Sequence, residues 1–370
     1  MPTIAELIAE LDRFAPSSTA AEWDNVGLLL GDSNRSVTAV MTCLTLTADV
    51  VEEAIRERVS LILSHHPVLF RGVKRLTTAT PDGSILLPLL QAGIAVYSPH
   101  TAFDNCPGGI NDLLCRRLGV VNTVPLRPRV GPQQYKLVVF VPESDLAKVS
   151  DAVFAAGAGM IGQYTQCSFR LPGTGTFFGT EATNPVVGQK GRREEVPEWR
   201  LEVVVPERQL AAVLRAMRQA HSYEEPAYDV YPLHPGTVGG EGRVGQLASP
   251  MTLGELARRA KRELAAASVQ VVGDLSKSVQ TVAIACGAAG EFLSDTLRVN
   301  ADVFVTGEVR FHEALTARSS GLGLILPGHY ATERPGVEEL AAKLAADWPN
   351  LTVWPSRAER DPLATLSDSD

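Results

Sequence analysis

The chain has 370 residues, long for one domain of roughly 100–200, so two domains are predicted. Hydrophobic residues make up 45% and charged residues 21%, which supports substantial cores and excludes a largely disordered chain. A net charge of −8 lacks the basic excess of a protein that grips nucleic acid or an anionic membrane, so neither is an expected partner. From the first residue onward there is no basic stretch followed by an apolar one, and no apolar run approaches about 20 residues; a cytoplasmic protein is expected. Its five cysteines, Cys43, Cys106, Cys115, Cys167 and Cys286, are scattered without a C-x-x-C pair, which predicts reduced thiols rather than disulfides or a thiolate zinc site.

Residues 3–14 carry Ile4, Leu7, Ile8 and Leu11 behind Thr3, a helix pattern with a cap. Short apolar runs then alternate with helical stretches: strand 37–46, helix 48–58, strand 60–63, helix 84–92, strand 94–97. The alternation resumes late, with strands at 279–285, 303–306 and 322–326 and helices at 312–318 and 337–347. Strands separated by helices predict an α/β domain on a largely parallel sheet covered on both faces.

The middle of the chain repeats itself. Residues 136–164 lie over 200–228 without a gap, sharing Val-Pro-Glu at 141–143 and 205–207, and matching Leu146, Ala147 and Val149 to Leu210, Ala211 and Val213. Each copy is an alternating strand, a turn and an amphipathic helix, so two β-α-β halves predict a ferredoxin-like α+β domain. That domain, 132–232, is expected to interrupt a discontinuous α/β domain of 1–131 and 233–354, with 355–370 a disordered tail. Proline- and glycine-rich joints at 127–133 and 234–245 flank it. The second has glycines enough to present amides to a phosphate, but no lysine with Ser/Thr follows, so a hinge is expected.

Chemistry concentrates at strand ends. The strand at 60–63 runs into Ser64-His65-His66-Pro67, the strand at 94–97 into His100 and Asp104, and the strand at 322–326 into His329 and Glu333. In open α/β sheets ligands bind at that edge. Any one of these residues alone reads as an ordinary strand-end side chain; three strand ends with the same chemistry read as a metal site. Five or six imidazole and carboxylate groups exceed one ion's needs and suit two, with a carboxylate of Glu333 or Asp104 as bridge. Mixed nitrogen and oxygen donors favour zinc, iron or manganese.

The segments 61–72 (LILSHHPVLFRG), 96–105 (VYSPHTAFDN), 305–315 (VTGEVRFHEAL) and 327–333 (PGHYATE), with 21–32 (AEWDNVGLLLGD), resemble the Nif-three-like family, also called the GTP cyclohydrolase I type 2 homologues. The resemblance covers nearly the whole chain, and its long members carry an insert similar to PII and CutA signalling domains, into which 221–231 fits. It implies two divalent metal ions per chain held by His65, His66, Asp104, His329 and Glu333, with Glu333 bridging and His100 beside the metals. Glu308 stands where the family often has aspartate, which alters the reach of that carboxylate. His312 is a candidate partner of a metal ligand or a half-buried histidine; Asp24 and Asn25 are candidates for the pocket wall or for a structural turn. His221 and His234 receive no catalytic part.

Paired metals activate water and polarise the attacked group, so a hydrolase of a small substrate is expected. The family name implies attack on a purine or related ring, though the chain has neither an Asn-Lys-x-Asp stretch nor a phosphate loop. The competing reading is a metal-binding regulatory or scaffold protein, motivated by the insert. Dimers of the α/β part joined by insert trimers would make a homohexamer, which the resemblance also implies.

Overall fold

The computed structural model describes residues 1–366. They form two compact units, one of Met1–Arg129 with the chain from Gly239 onward, the other of Val130–Val238.

The first unit has two mixed sheets in place of the one largely parallel sheet expected. In one sheet Thr352–Pro355, Ala39–Cys43, Leu61–Ser64 and Ala95–Ser98 lie parallel in that order, and Gly27–Leu30 closes the edge antiparallel. In the other, Ser278–Ile284, Val303–Val305 and Gly323–Leu326 are parallel, flanked by antiparallel Arg243–Thr252 and Gln270–Val272. Alternating strand and helix patterns report that strands are parallel and buried on both faces, but they do not say which strands share a sheet. The sheets are joined by one apolar core. Val40, Leu61 and Leu63 of one and Val282, Ile284 and Val303 of the other belong to a single buried cluster with Ile4, Leu7 and Leu114 from the helices. Burying each such side chain contributes about 1.5–3 kcal/mol. The first helix, Ile4–Phe14, starts at a capping box in which Thr3 and Glu6 satisfy each other's backbone amides.

Two local expectations are corrected. The helix placed at 337–347 runs from His329 to Asp347, straight through Pro335 and Gly336. Pro-Gly reads as a stop signal, yet Gly336 is where the helix presses on Ile110: a Cβ there would come within 2.5 Å of its side chain. The stretch from Pro355, expected to be disordered, is fixed as far as Glu359. Ser356 and Glu359 are buried, and the Ser356 amide donates to Thr42 O at 2.7 Å. Polar composition hid this segment because its partners are single buried carboxylates, not apolar faces. Residues 367–370 of that expected tail lie outside the described residues.

The second unit is a β-α-β-β-α-β run whose four strands pair in the order fourth, first, third, second. Leu137, Val139 and Val141 of Gln134–Val141 and Leu201, Val203 and Val205 of Arg193–Pro206 alternate inward against Val149, Val153, Val213 and Met217 of the two helices. Both Pro-Glu turns do the same work, with Pro142 and Pro206 at the caps and Glu143 and Glu207 in the first turns of the helices. Phe169–Phe178 pairs with Arg193–Pro206 as a long antiparallel hairpin.

Candidate metal centre

The run Leu61–Ser64 is buried throughout and ends where its backbone is tied on both sides. The His65 amide donates to Cys43 O at 2.9 Å, the His66 amide to Leu44 O at 2.8 Å, and the Ser98 hydroxyl to His65 O at 2.7 Å. The neighbouring strand Ala95–Ser98 feeds the short helix His100–Asn105, which carries Asp104. Gly323–Leu326 of the other sheet feeds the helix that begins at His329 and carries Glu333 one turn later. Strand ends from both sheets thus bring His65, His66, His100, Asp104, His329 and Glu333 to one cavity of about 410 Å³, which all but the buried His65 line.

The polar atoms converge, and only His66 and Glu333 satisfy one another among the imidazoles and carboxylates on the cavity's inner side. His66 Nε2 and His329 Nε2 each lie 3.0 Å from Glu333 Oε2, and His65 Nε2 lies 3.4 Å from Asp104 Oδ1 and 3.9 Å from Glu333 Oε1. Yet both nitrogens of His65, and Nε2 of His329, are buried with no hydrogen-bond partner; His329 and Glu333 are close but off the line of a hydrogen bond. Unpaired buried polar atoms cost about 1–3 kcal/mol each. Atoms that aim at a common point instead of at each other fit a shared cation. His66, His329 and Glu333 each offer an atom within 4.8 Å of the others, as do His65, His66 and His100. The donor set of imidazoles and carboxylates therefore could hold divalent ions.

Electrostatics agree with that fit. Burial holds His65 well below the ordinary imidazole range, so it stays neutral with a lone pair to give. Burial pushes Asp104 up to about 7, with the Glu333 charge adding to it. Burial would also raise Glu333, but the imidazoles of His329, His66 and His65 packed against it outweigh burial and hold the carboxyl well below its usual range. Glu333 in turn lifts His329 to about 9. A cavity that compensates one carboxylate with borrowed imidazole charge and leaves the other half protonated is short of positive charge.

Backbone geometry leaves room at the same point. Gly287 has φ +65°, and a Cβ there would lie 2.2 Å from Glu333 Oε1 and 3.4 Å from His329 Nε2. Only glycine lets the loop after Ser278–Ile284 pass this close.

The other candidates divide. Asp24 fixes His100: its Oδ1 lies 2.7 Å from His100 Nδ1, and its Oδ2 accepts from the Thr101 amide and hydroxyl. Burial pulls His100 down, but the Asp24 hydrogen bond and nearby carboxylates outweigh it and raise it. Asp24 carries the opposite balance and ends below its ordinary value. His100 also stands at φ +28°, in the left-handed region, as residues at functional sites do. Glu308 is exposed, and its Oε1 lies 2.9 Å from His329 Nδ1, so the longer side chain reaches the His329 nitrogen that faces away from Glu333. Asn25 instead donates to Leu69 O and does not line the cavity, which gives it a structural role and not a place in the pocket wall. His312 is exposed on Phe311–Ser319, beside Phe311, outside the cavity; the spacing that placed it on a helix did not give its direction.

Three contributors were not singled out from the sequence. Thr45 Oγ1 lies 2.7 Å from His66 Nδ1. The thiol of Cys286 lies 3.1 Å from Asp104 Oδ1, and burial, then Asp104, keeps it protonated far above the usual thiol range. Trp23 and Phe70, both largely exposed, line the cavity edge to face at 5.9 Å. Position next to Asp24 and four residues after His66 was the one available signal for that aromatic pair; for Thr45 and Cys286 there was none.

Comparison with known proteins gives a consistent pattern. The family described as Duf34/NIF3 (NGG1p interacting factor 3) matches residues 2–362. A Halalkalibacterium halodurans protein named GTP cyclohydrolase 1 type 2 homolog is 40% identical over 344 residues, 92% of each chain. A Bacillus subtilis protein of the same name is 37% identical over 365 residues, 98% of each chain. A crystal structure of a Staphylococcus aureus protein is similar with a TM-score of 0.81 at 30% identity, covering 99% of both chains.

Proposed function

From the premise that the chain belongs to the Duf34/NIF3 family, we propose that it is a dinuclear divalent-metal hydrolase acting on a small substrate. The observation that carries this reading is the set of buried, unpartnered nitrogens of His65 and His329 converging with Glu333. His65, His66, Asp104, His329 and Glu333 are the residues that would hold the ions, with Glu333 shared between them; the ions would be zinc, iron or manganese. Bound there, such a pair supplies activated water and polarisation of the attacked group. The name of the curated relatives, GTP cyclohydrolase 1 type 2 homolog, suggests a purine or related ring as the target.

The chain's own residues supply the rest. His100 has Nδ1 committed to Asp24, so its Nε2 is free to take or give a proton at the cavity. Trp23 and Phe70 offer flat faces at the cavity edge, suited to a planar ring. Glu308 orients His329 through Nδ1.

The assembly belongs to the same proposal. The Val130–Val238 unit is a PII/CutA-like trimerising element, the α/β unit makes a two-fold contact, and the protein is a hexamer in the cytoplasm. Among the described residues no helix is long and apolar enough to cross a membrane.

The test is elemental analysis followed by turnover of a nucleotide and cyclic-amide panel by metal-loaded protein, against a His65→Ala, Glu333→Ala double variant. Two ions per chain with hydrolysis that the variant lacks is the expected result. Full metal content without turnover favours a metal-binding regulatory or scaffold protein, and no bound metal overturns the metal centre altogether.

A further inference from the structure

The segment that follows the last strand is built into the site. After Thr352–Pro355, the chain turns so that Glu53, a buried carboxylate on the helix Ala48–Arg56, accepts from the Ser356 hydroxyl at 2.6 Å and from the Arg357 and Ala358 amides at 3.0 and 2.9 Å. Those bonds fix the turn that presents Glu359, itself only 5% exposed. Glu359 then reaches both groups of proposed ligands. Towards the first, its Oε2 accepts from the Leu44 amide at 2.9 Å and its Oε1 from the Thr45 amide at 2.7 Å. Leu44 O holds the His66 amide, and the Thr45 hydroxyl lies 2.7 Å from His66 Nδ1. Towards the second, it pairs with Arg334, the residue after Glu333, whose guanidinium also donates to Ser356 O at 2.8 Å.

We infer that Glu359 is a positioning residue of the metal centre, bracing His66 through Thr45 and the His329–Glu333 turn through Arg334. The inference rests on the metal-binding reading above. With Nδ1 engaged by Thr45, His66 has Nε2 left for the cavity, and that nitrogen is the one 3.0 Å from Glu333. His66 follows a strand and Glu333 sits on a helix, 267 residues apart, and Glu359 is the carboxylate that touches the supports of both. Groups that orient metal ligands change affinity without touching the ion, typically by 10- to 100-fold. An isosteric amide at 359 keeps the shape but turns one oxygen into a donor facing a backbone N–H or a guanidinium, which breaks one arm of the brace.

The experiment loads wild-type protein, Glu359→Gln, Thr45→Val and Thr45→Ser with cobalt(II), records visible absorption, and titrates the ion out with a chelator. Circular dichroism reports folding. Glu359→Gln and Thr45→Val are expected to release cobalt at about 10- to 100-fold lower chelator with an altered visible spectrum, while Thr45→Ser, which restores the hydroxyl, matches wild type. A folded Glu359→Gln, or a Thr45→Val, with wild-type retention and spectrum overturns the inference. Should Glu359→Gln not fold, the two Thr45 variants decide it. Wild-type protein that takes up no cobalt overturns the metal reading and this inference with it, and that result is read before any variant is made.

Discussion

The two units of this chain differ in how they treat their most deeply buried polar side chains. In Val130–Val238 the core is apolar from end to end, and its two fully buried polar side chains are satisfied: Ser150 donates to Leu146 O, and His221 bonds Phe140 O through Nε2 and the Tyr223 amide through Nδ1, while Gln209 Oε1 and the Tyr223 hydroxyl stay unpaired on half-buried residues. In the α/β unit three imidazole nitrogens sit buried beside two carboxylates and remain unpaired. The first arrangement is what stability alone selects; the second costs stability unless something else occupies the point where those atoms meet. The difference locates function by where the fold tolerates a deficit.

Deleting 132–232 and rejoining the flanks with a short linker breaks the comparison most directly. The apolar clusters of the α/β unit contain only its own residues, as does that of the other unit. The truncated protein should therefore stay folded and keep its metal, while the chain count by light scattering falls from six to two. An unchanged count makes the insert a lid rather than a trimerising element, and an insoluble product means the units depend on each other.

Leu201→Ala, at a position with no exposure in the insert core, should cost about 2–5 kcal/mol in unfolding of that unit. Metal per chain should not change. Coupled loss of metal would show that the satisfied core and the deficient one are not separable.

Asp24→Asn probes the site itself. His100 is raised above its ordinary 6.5, so its contribution to stability is present below that value and fades as pH rises through the folded one. Asp24 is lowered below 3.8, so its contribution is present above that value and fades as pH falls through the folded one. The pair contributes fully between those ordinary values, 3.8 and 6.5. The variant should lose about 1–3 kcal/mol in that window, and the His100 ring should titrate at lower pH by NMR. An unmoved titration would mean that Asp24 does not hold the imidazole.

His312→Ala should do least, within about 0.5 kcal/mol of wild type and with metal content intact, because the side chain is exposed and away from the cavity. Any loss of metal there would put an additional ligand on a helix that does not face the cavity.

Much of this was readable from residues. His65, His66, Asp104, His329 and Glu333 follow strand ends whose apolar runs were plain, and the repeat at 136–164 and 200–228 announced its strand-helix halves through Val-Pro-Glu. What was not readable depends on partners far away in the chain. The helix that runs through Pro335 and the anchoring of Glu359 are decided by tertiary contacts, with Ile110 for the first and with Leu44, Thr45 and Arg334 for the second. Local propensity carries no record of such contacts. The direction of a helical side chain was lost for the same reason, and His312 is its clearest instance.

The strand Thr352–Pro355 completes a sheet whose next member is Ala39–Cys43, and the centre joins His66 to Glu333 across 267 residues. Order of synthesis then matters. At about 5–20 residues per second, the ribosome needs roughly 13–53 s to travel from the first of these ligands to the last. Through that interval the insert can fold alone, because its halves are adjacent in sequence, while Ala39–Cys43 presents an open parallel edge and the paired histidines wait without their carboxylate. If the centre holds metal as proposed, the Glu333 part of it can load only once the chain is finished.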